Sequence, residues 1–335
     1  MRPFLPASMP WPRVPLVVLV VGLLAGCSAA PGPAPTKTTT SAAETTTAVS
    51  PPVQQSVPAQ PAQPTPKPTQ KPTQKPTQKP QATDLETLQH ELSDYLDEQE
   101  GHYGLYLIDL TANKSLSING DETFYSASTI KLPFALYVLD QAARGQVDLN
   151  ERLTYSESDY EEGTGLLQDS IMEGDAYSIR DLVRLSITHS DNIAFQMLLR
   201  RFGGSETLFG HMSKLGGRVV GVADDTYITS PRDMALYMRG FSSGSALKNA
   251  DLRAFLKDAL EHTVFTDRIA AGVPEGVPVA HKIGTLENAV NDVAWVEAPG
   301  RPFILAIFST DVTEETAPPV LEEVTRRVYG FLNPD

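Results

Sequence analysis

The stretch "YSASTIKLPFALYVL" (125–139) sets Ser128 three residues before Lys131 at the entrance to an apolar helix. A serine hydroxyl is a weak nucleophile until a neighbouring base takes its proton. At i and i+3 of a helix the two side chains share a face. A lysine among apolar residues is pushed towards its neutral, basic form because burial penalises the charge. The pair therefore points to acyl transfer through a serine ester, with Lys131 as the base. Further along stand Ser190-Asp191-Asn192 and Lys282-Ile283-Gly284-Thr285, which add hydroxyls, an amide and a second lysine. Taken singly, these groups have ordinary structural explanations. Ser128 reads as a helix cap and Lys131 as a surface residue with a buried stem. Ser190-Asp191 caps the helix that begins at Asn192, and 282–285 ends a strand. Ser245-Ala246-Leu247-Lys248 shows how common the first pattern is, since it also fits S-x-x-K in a Ser/Gly-rich connection.

The elements that must position these groups follow from periodicity. "DLETLQHELSDYLDEQ" (84–99) places Leu85, Leu88, Leu92, Tyr95 and Leu96 on one helical face. "GLYLIDL" (104–110) and "KSLSI" (114–118) read as strands. A helix is expected from about Ser128 to Arg144, with Pro133 in its first turns, where a missing backbone donor matters least. Residues 178–204 give two amphipathic segments meeting at 189–192, and "SPRDMALYMRGF" and "NADLRAFLKDALEH" give two more helices. From Pro278 the period returns to two, with three strands in "VPVAHKIG", "NDVAWVEAPG" and "RPFILAIFSTD" before a last helix in "PPVLEEVTRRVYGFL". Strands at both ends and helices between them imply an α+β fold. Its antiparallel sheet is flanked by the terminal helices, and an all-helical lobe is inserted into it. The α/β lobe would take about 84–127 and 265–335, the helical lobe about 128–264, with a site in the gap between them.

The N-terminal quarter reads differently. Arg2 and Arg13 precede or flank a short apolar core from Pro15 to Ala25, which suits an export signal and is too short to span a bilayer. It ends in Leu24-Ala25-Gly26-Cys27, which resembles the bacterial lipobox, where the cysteine is lipidated and becomes the first residue. Cys27 is the sole cysteine of the 335 residues, so no disulfide, cysteine nucleophile or thiolate metal site is available to the rest. Residues 28–83 are rich in Pro, Thr, Ala, Gln and Lys and carry "KPTQKPTQKPTQKP" at 67–80. Such a segment reads as a disordered or polyproline-like tether of roughly 45 Å as a coil and at most about 170 Å extended. The leader carries +2 and the tether +4 of a total of −14, which leaves −20 for 84–335. An acidic domain of that kind does not suit nucleic acid or an anionic membrane face.

The three motifs in this order fit the serine penicillin-recognising enzymes. "GLYLIDLTANKSLSINGDETFYSASTIKLPFALYVL", "TDRIAAGVPEGVPVAHKIGT" and "NDVAWVEAPGRPFILAIFSTD" resemble the start and end of class A β-lactamase domains, and the likeness spans 84–335. The resemblance implies a β-lactamase/transpeptidase-like fold and a hydrolase that opens β-lactam amides through an acyl-Ser128 ester. It also implies roles for the remaining groups. Lys282 would be a second cation facing Lys131, and Ser190 would pass the proton to the departing nitrogen. Asn192 would bind the substrate amide and Lys131. The backbone donors of Ser128 and Thr285 would form the oxyanion hole, with Gly284 beside them. Lys282, Ser190 and Thr285 would hold the substrate carboxylate.

The pattern breaks in two places. The family's E-x-x-L-N glutamate, which activates the deacylating water, has no counterpart in the short loop "GGRVVGVADDTYITSP" (216–231). Ile283 replaces the usual Thr or Ser, removing one hydroxyl from the carboxylate pocket. Asp224, Asp225, Glu161 and Glu162 are candidate substitutes for the base, each singly more readily read as a solvated acid in a very acidic domain. The alternatives are then a D-Ala-D-Ala carboxypeptidase on peptidoglycan stem peptides, or a penicillin-binding or sensing lipoprotein that acylates and turns over slowly. No H-E-x-x-H, G-x-S-x-G, phosphate loop or G-x-G-x-x-G occurs. His189 and His281 lie beside motifs as neighbours rather than ligands. The expectation is an extracytoplasmic, monomeric lipoprotein anchored to the membrane through Cys27, with no metal and no cofactor.

Overall fold

A computed structural model describes residues 85–334. The leader, Cys27 and the tether lie outside the described residues. Helix α1 (Leu85–Asp97) precedes β1 (His102–Asp109) and β2 (Lys114–Ile118). The inserted lobe opens with β3 (Phe124–Tyr125) and α2 (Lys131–Ala143), then β4 (Arg152–Thr154), β5 (Ala176–Ser178), α3 (Ile179–Thr188) and α4 (Asn192–Arg201). It continues through α5 (Gly204–Lys214), β6 (Gly221–Ala223), β7 (Thr226–Thr229), α6 (Pro231–Ser242) and α7 (Ala250–Glu261). The chain returns to the sheet with β8 (Val279–Leu286), β9 (Ala289–Val296) and β10 (Phe303–Thr310), and ends in α8 (Ala317–Leu332).

The main sheet runs β2-β1-β10-β9-β8, antiparallel throughout. Its side chains sort by the alternation that a pleated strand imposes. Leu105, Leu107, Phe303, Leu305 and Ile307 pack with Leu88 and Leu92 of α1 and Val324 and Val328 of α8. Ile108, Ile304, Ala306 and Phe308 pack on the opposite face with the core of the helical lobe, including Phe134 of α2 and Met234 and Met238 of α6. Both faces are covered, and β10 is buried along seven of its eight residues.

The helix starts are built from the sequence. Ser178, Ser230 and Asn249 each accept a hydrogen bond at the N-terminus of α3, α6 and α7 from the backbone amide three residues on. The expected helices and strands form within a few residues of their anticipated limits. Three findings differ. The segment Ala127–Ile130 is a 3₁₀ turn, so Ser128 precedes the α-helix and Lys131 is its first residue. The inserted lobe carries two short sheets beside its helices, β4-β5 and β3-β7-β6. The stretch 216–231 is not a loop alone. It contains the β6–β7 hairpin, turned by Asp224 and Asp225 at φ 47° and 59°, the left-handed pair that a tight two-residue turn requires.

Candidate active site

Each chemical group is delivered by a different element. Ser128 sits on the 3₁₀ turn, where three residues make one turn and positions i and i+3 lie over each other. Its backbone amide belongs to the first turn, which has no acceptor within the helix. Ala127, one residue earlier, has φ 45°, a strained value for alanine that redirects the chain into the turn. The turn is held from behind by β7, through Ser126 N–H to Tyr227 O at 2.8 Å. Ser128 is half-buried, and its hydroxyl has no hydrogen-bond partner among the described residues.

Lys131 is 2 % exposed. Its ammonium donates to Ser190 O at 2.5 Å and to Asn192 Oδ1 at 2.7 Å, with the Ser190 hydroxyl at 3.4 Å. Burial lowers its pKa to about 7, opposed by the charges of Glu161 and then Asp191. Lys282, on the edge strand β8, is 1 % exposed and donates to Ser190 Oγ at 3.0 Å and to Ile283 O at 2.8 Å. Burial first, and then the nearby Lys131 charge, hold it well below the usual lysine range. Two buried lysines thus meet on one serine hydroxyl. At neutral pH such a pair favours loss of a proton from one of its members.

Ser190 itself is fully buried, with φ 54°. Asp191 caps α4 through Ala194 N–H at 2.8 Å and accepts Leu167 N–H at 2.9 Å with its other oxygen. That second bond ties the segment 160–168 to the motif. Asn192 Nδ2 donates to Glu162 O at 2.9 Å, and Thr164 Oγ1 donates to Ser190 O at 2.8 Å. Gly165, at φ 143°, comes so close that a Cβ there would lie 2.4 Å from Asp191 Oδ2. Only glycine permits that approach.

Gly284 is required for the same steric reason. A Cβ on it would stand 2.8 Å from Ser126 O and 3.1 Å from the Ser128 amide nitrogen. Its absence lets the β8 edge close on the turn that carries Ser128, bringing Thr285 to the same cavity as Ser128. That cavity, of about 690 Å³, is walled by Ser128, Lys131, Asn192 and Thr285 and by the loop residues Glu161 and Glu162.

The candidate bases separate. Glu161, Glu162 and Asp225 line the cavity. Asp224 is not on its wall and instead accepts the Tyr125 hydroxyl at 2.8 Å. Glu161 is held by the Gln196 side-chain amide.

One residue went unassigned in the sequence. Arg268 is 3 % exposed and donates to Gly284 O at 3.0 Å, Asn291 O at 2.8 Å and Thr285 Oγ1 at 2.6 Å. It sets the hydroxyl of Thr285 and adds a fixed positive charge at that end of the site. The signal was present as a lone arginine in "TDRIAAG", but nothing local announces its partners. His281, one residue before Lys282, is buried against Asp292 with its Nδ1 3.0 Å from the carboxylate. His189 faces the Thr188 hydroxyl at 2.7 Å. Among the described residues no group of three or more His, Cys, Asp or Glu side chains is arranged to hold a metal ion.

A serine on a helix-leading turn, two buried lysines and a sheet edge across the cleft define the class of serine acyl-transfer hydrolases. Comparison with known proteins gives the family. Residues 87–332 match the model of the beta-lactamase enzyme family. The extended-spectrum beta-lactamase PER-1 of Pseudomonas aeruginosa is 28% identical over 239 residues, covering 64% of this chain and 78% of its own. The solved structure of PBP-A superposes with a TM-score of 0.70 at 30% identity, covering 73% of this chain and 95% of that one. A mutant of PBP-A has been solved as an acyl-enzyme complex with penicillin G. An ancestral class A beta-lactamase gives a TM-score of 0.66 at 28% identity, covering 72% and 98%. The chain belongs to the beta-lactamase enzyme family, and its fold is that of the class A enzymes.

Proposed function

We propose that this beta-lactamase-family enzyme opens β-lactam amides through an ester on Ser128. One observation carries the reading: Lys131 and Lys282 are both buried and both reach the Ser190 hydroxyl, at 3.4 and 3.0 Å. Neutral Lys131 takes the Ser128 proton as Oγ bonds to the lactam carbonyl carbon. The developing oxyanion is met by the backbone N–H groups of Ser128 and Thr285. The ring C–N bond breaks, and the nitrogen receives a proton through Ser190, which Lys131 and Lys282 keep supplied. Lys282, Thr285 and Arg268 form the cationic end that receives the substrate carboxylate. Water then cleaves the ester.

A second reading has its own support. No glutamate lies in 216–231, and PBP-A is among the similar structures. On that reading the same nucleophile acts on a D-Ala-D-Ala stem peptide, or forms a penicillin ester that it releases slowly. The leader ending in Cys27 and the tether 28–83 support export and lipid anchoring of the domain at the outer face of the cell membrane. Radiolabelled-lipid incorporation that survives Cys27→Ser would refute the anchoring.

The test is intact-mass spectrometry of the full chain in detergent with benzylpenicillin, followed over time beside Ser128→Ala. An adduct that decays as penicilloate accumulates supports the lactamase. A lasting adduct supports the second reading. An adduct on Ser128→Ala would rule out the assigned nucleophile.

A further inference from the structure

The ester on Ser128, which rests on the function proposed above, must be broken by water, and water needs a base. The stretch 216–231 provides no glutamate, and its acids sit on the exposed hairpin turn at 224–225. The opposite wall of the cavity does provide one. Residues 160–168 are stitched to the catalytic floor by Asn192 Nδ2 to Glu162 O, Thr164 Oγ1 to Ser190 O, and Leu167 N–H to Asp191 Oδ2. Gln168 fixes the backbone carbonyl of Glu161 at 2.7 Å. The Glu161 carboxylate is held by the Gln196 side chain from α4, lines the cavity with Ser128 and Lys131, and is open to solvent. Of the charges acting on Lys131, its is the largest. Among the cavity's acids it is the one with a side-chain donor that fixes its direction, whereas Glu162 and Asp225 have no hydrogen bond to their carboxylates among the described residues.

We infer that Glu161 is the general base of deacylation, replacing from the 160–168 wall the function that the hairpin wall lacks. Glu161 takes a proton from a cleft water as that water's oxygen bonds to the acyl carbon. Glu161 passes that proton to neutral Lys131. The tetrahedral adduct collapses, the C–Oγ bond breaks, and Ser128 Oγ takes the proton from the resulting ammonium, which leaves Lys131 neutral for the next cycle. The enzyme is restored, and one water is consumed for each acyl group released as the free acid.

The experiment separates this step from acylation. The full chain and its Glu161→Gln and Asp225→Asn variants are mixed with benzylpenicillin, and the adduct is timed by intact mass. The Glu161 charge favours the ammonium form of Lys131, so its removal leaves acylation at least as fast. The expected result is an adduct on Glu161→Gln that forms at the wild-type rate or faster and lasts about 10²- to 10⁴-fold longer. Asp225→Asn clears its adduct as the wild type does. Three results would overturn the inference: an adduct that clears from Glu161→Gln at the wild-type rate, persistence on Asp225→Asn instead, or a wild-type adduct that never clears. The last leaves the acylating role of Ser128 standing. Absence of both adduct and penicilloate removes the ester itself and overturns both readings together.

Discussion

The floor of the cleft and its acidic rim are built on opposite terms. On the floor, Lys131, Ser190 and Lys282 are each at most 2 % exposed, and their polar atoms are tied to one another and to backbone carbonyls. On the rim, Glu161, Glu162 and Asp225 are exposed, as is Asp224, their neighbour on the hairpin turn. Dry surroundings are what move a lysine's pKa by several units. A rim acid meets water freely. The contrast teaches that activating the nucleophile requires an interior, whereas supplying water requires a surface. One cleft meets both needs by placing them on different elements.

The comparison can be broken most severely at Lys131. Replacing it with alanine removes the proposed base, leaves Asn192 Oδ1 without this donor and leaves Ser190 O with Thr164 Oγ1 alone. Acylation by benzylpenicillin, timed by stopped-flow or mass, should fall about 10²- to 10⁴-fold. A smaller loss than that seen at any rim acid would invert the assignment of floor and rim. The pH profile sharpens the same point. On the proposed function the base is the neutral amine, and its pKa is lowered to about 7, so the acylation rate should fall about tenfold per pH unit below 7 and level off above about 8. An unshifted lysine would instead still be rising at pH 9.

Next in size is Asp191→Ala, which strips the cap of α4 and the acceptor of Leu167 N–H. A loss of about 2–4 kcal/mol by urea denaturation is expected, the sum of a cap and one unpaired buried amide. The smallest effect belongs to the rim. Asp224→Asn alters one exposed bond to Tyr125 and should shift stability by less than about 0.5 kcal/mol. A larger shift would mean that the hairpin turn is part of the floor's support.

The sequence disclosed the parts of this arrangement whose causes are local. The helices announced themselves through apolar period and caps such as Ser178, Ser230 and Asn249, and β8–β10 through alternation. The motifs at 128–131, 190–192 and 282–285 were visible, and the folded chain brings all three to one cavity. The hidden features all depend on partners far away in sequence. The β6–β7 hairpin is too short to show a period, and it is stabilised by pairing β7 with Phe124–Tyr125. Its one local clue was the Asp224-Asp225 pair. Arg268 has three acceptors on β8 and β9, none legible from "TDRIAAG". The turn at Ser128 is closely passed by Gly284, a contact that no window around Ser128 contains.

The bonds that hold the floor together span long intervals of chain. Lys131 finds its partners 59 and 61 residues away, Lys282 reaches back 92, and the turn carrying Ser128 leans on Tyr227, 101 residues on from Ser126. Contacts of such range form only as the whole domain closes, because the entropy of the intervening loops must be overcome first. An incomplete or partly folded chain therefore holds an ordinary solvated lysine and an inert serine. On the proposed function, reactivity appears together with the native state, and labelling of Ser128 by a penicillin then doubles as a count of correctly folded molecules.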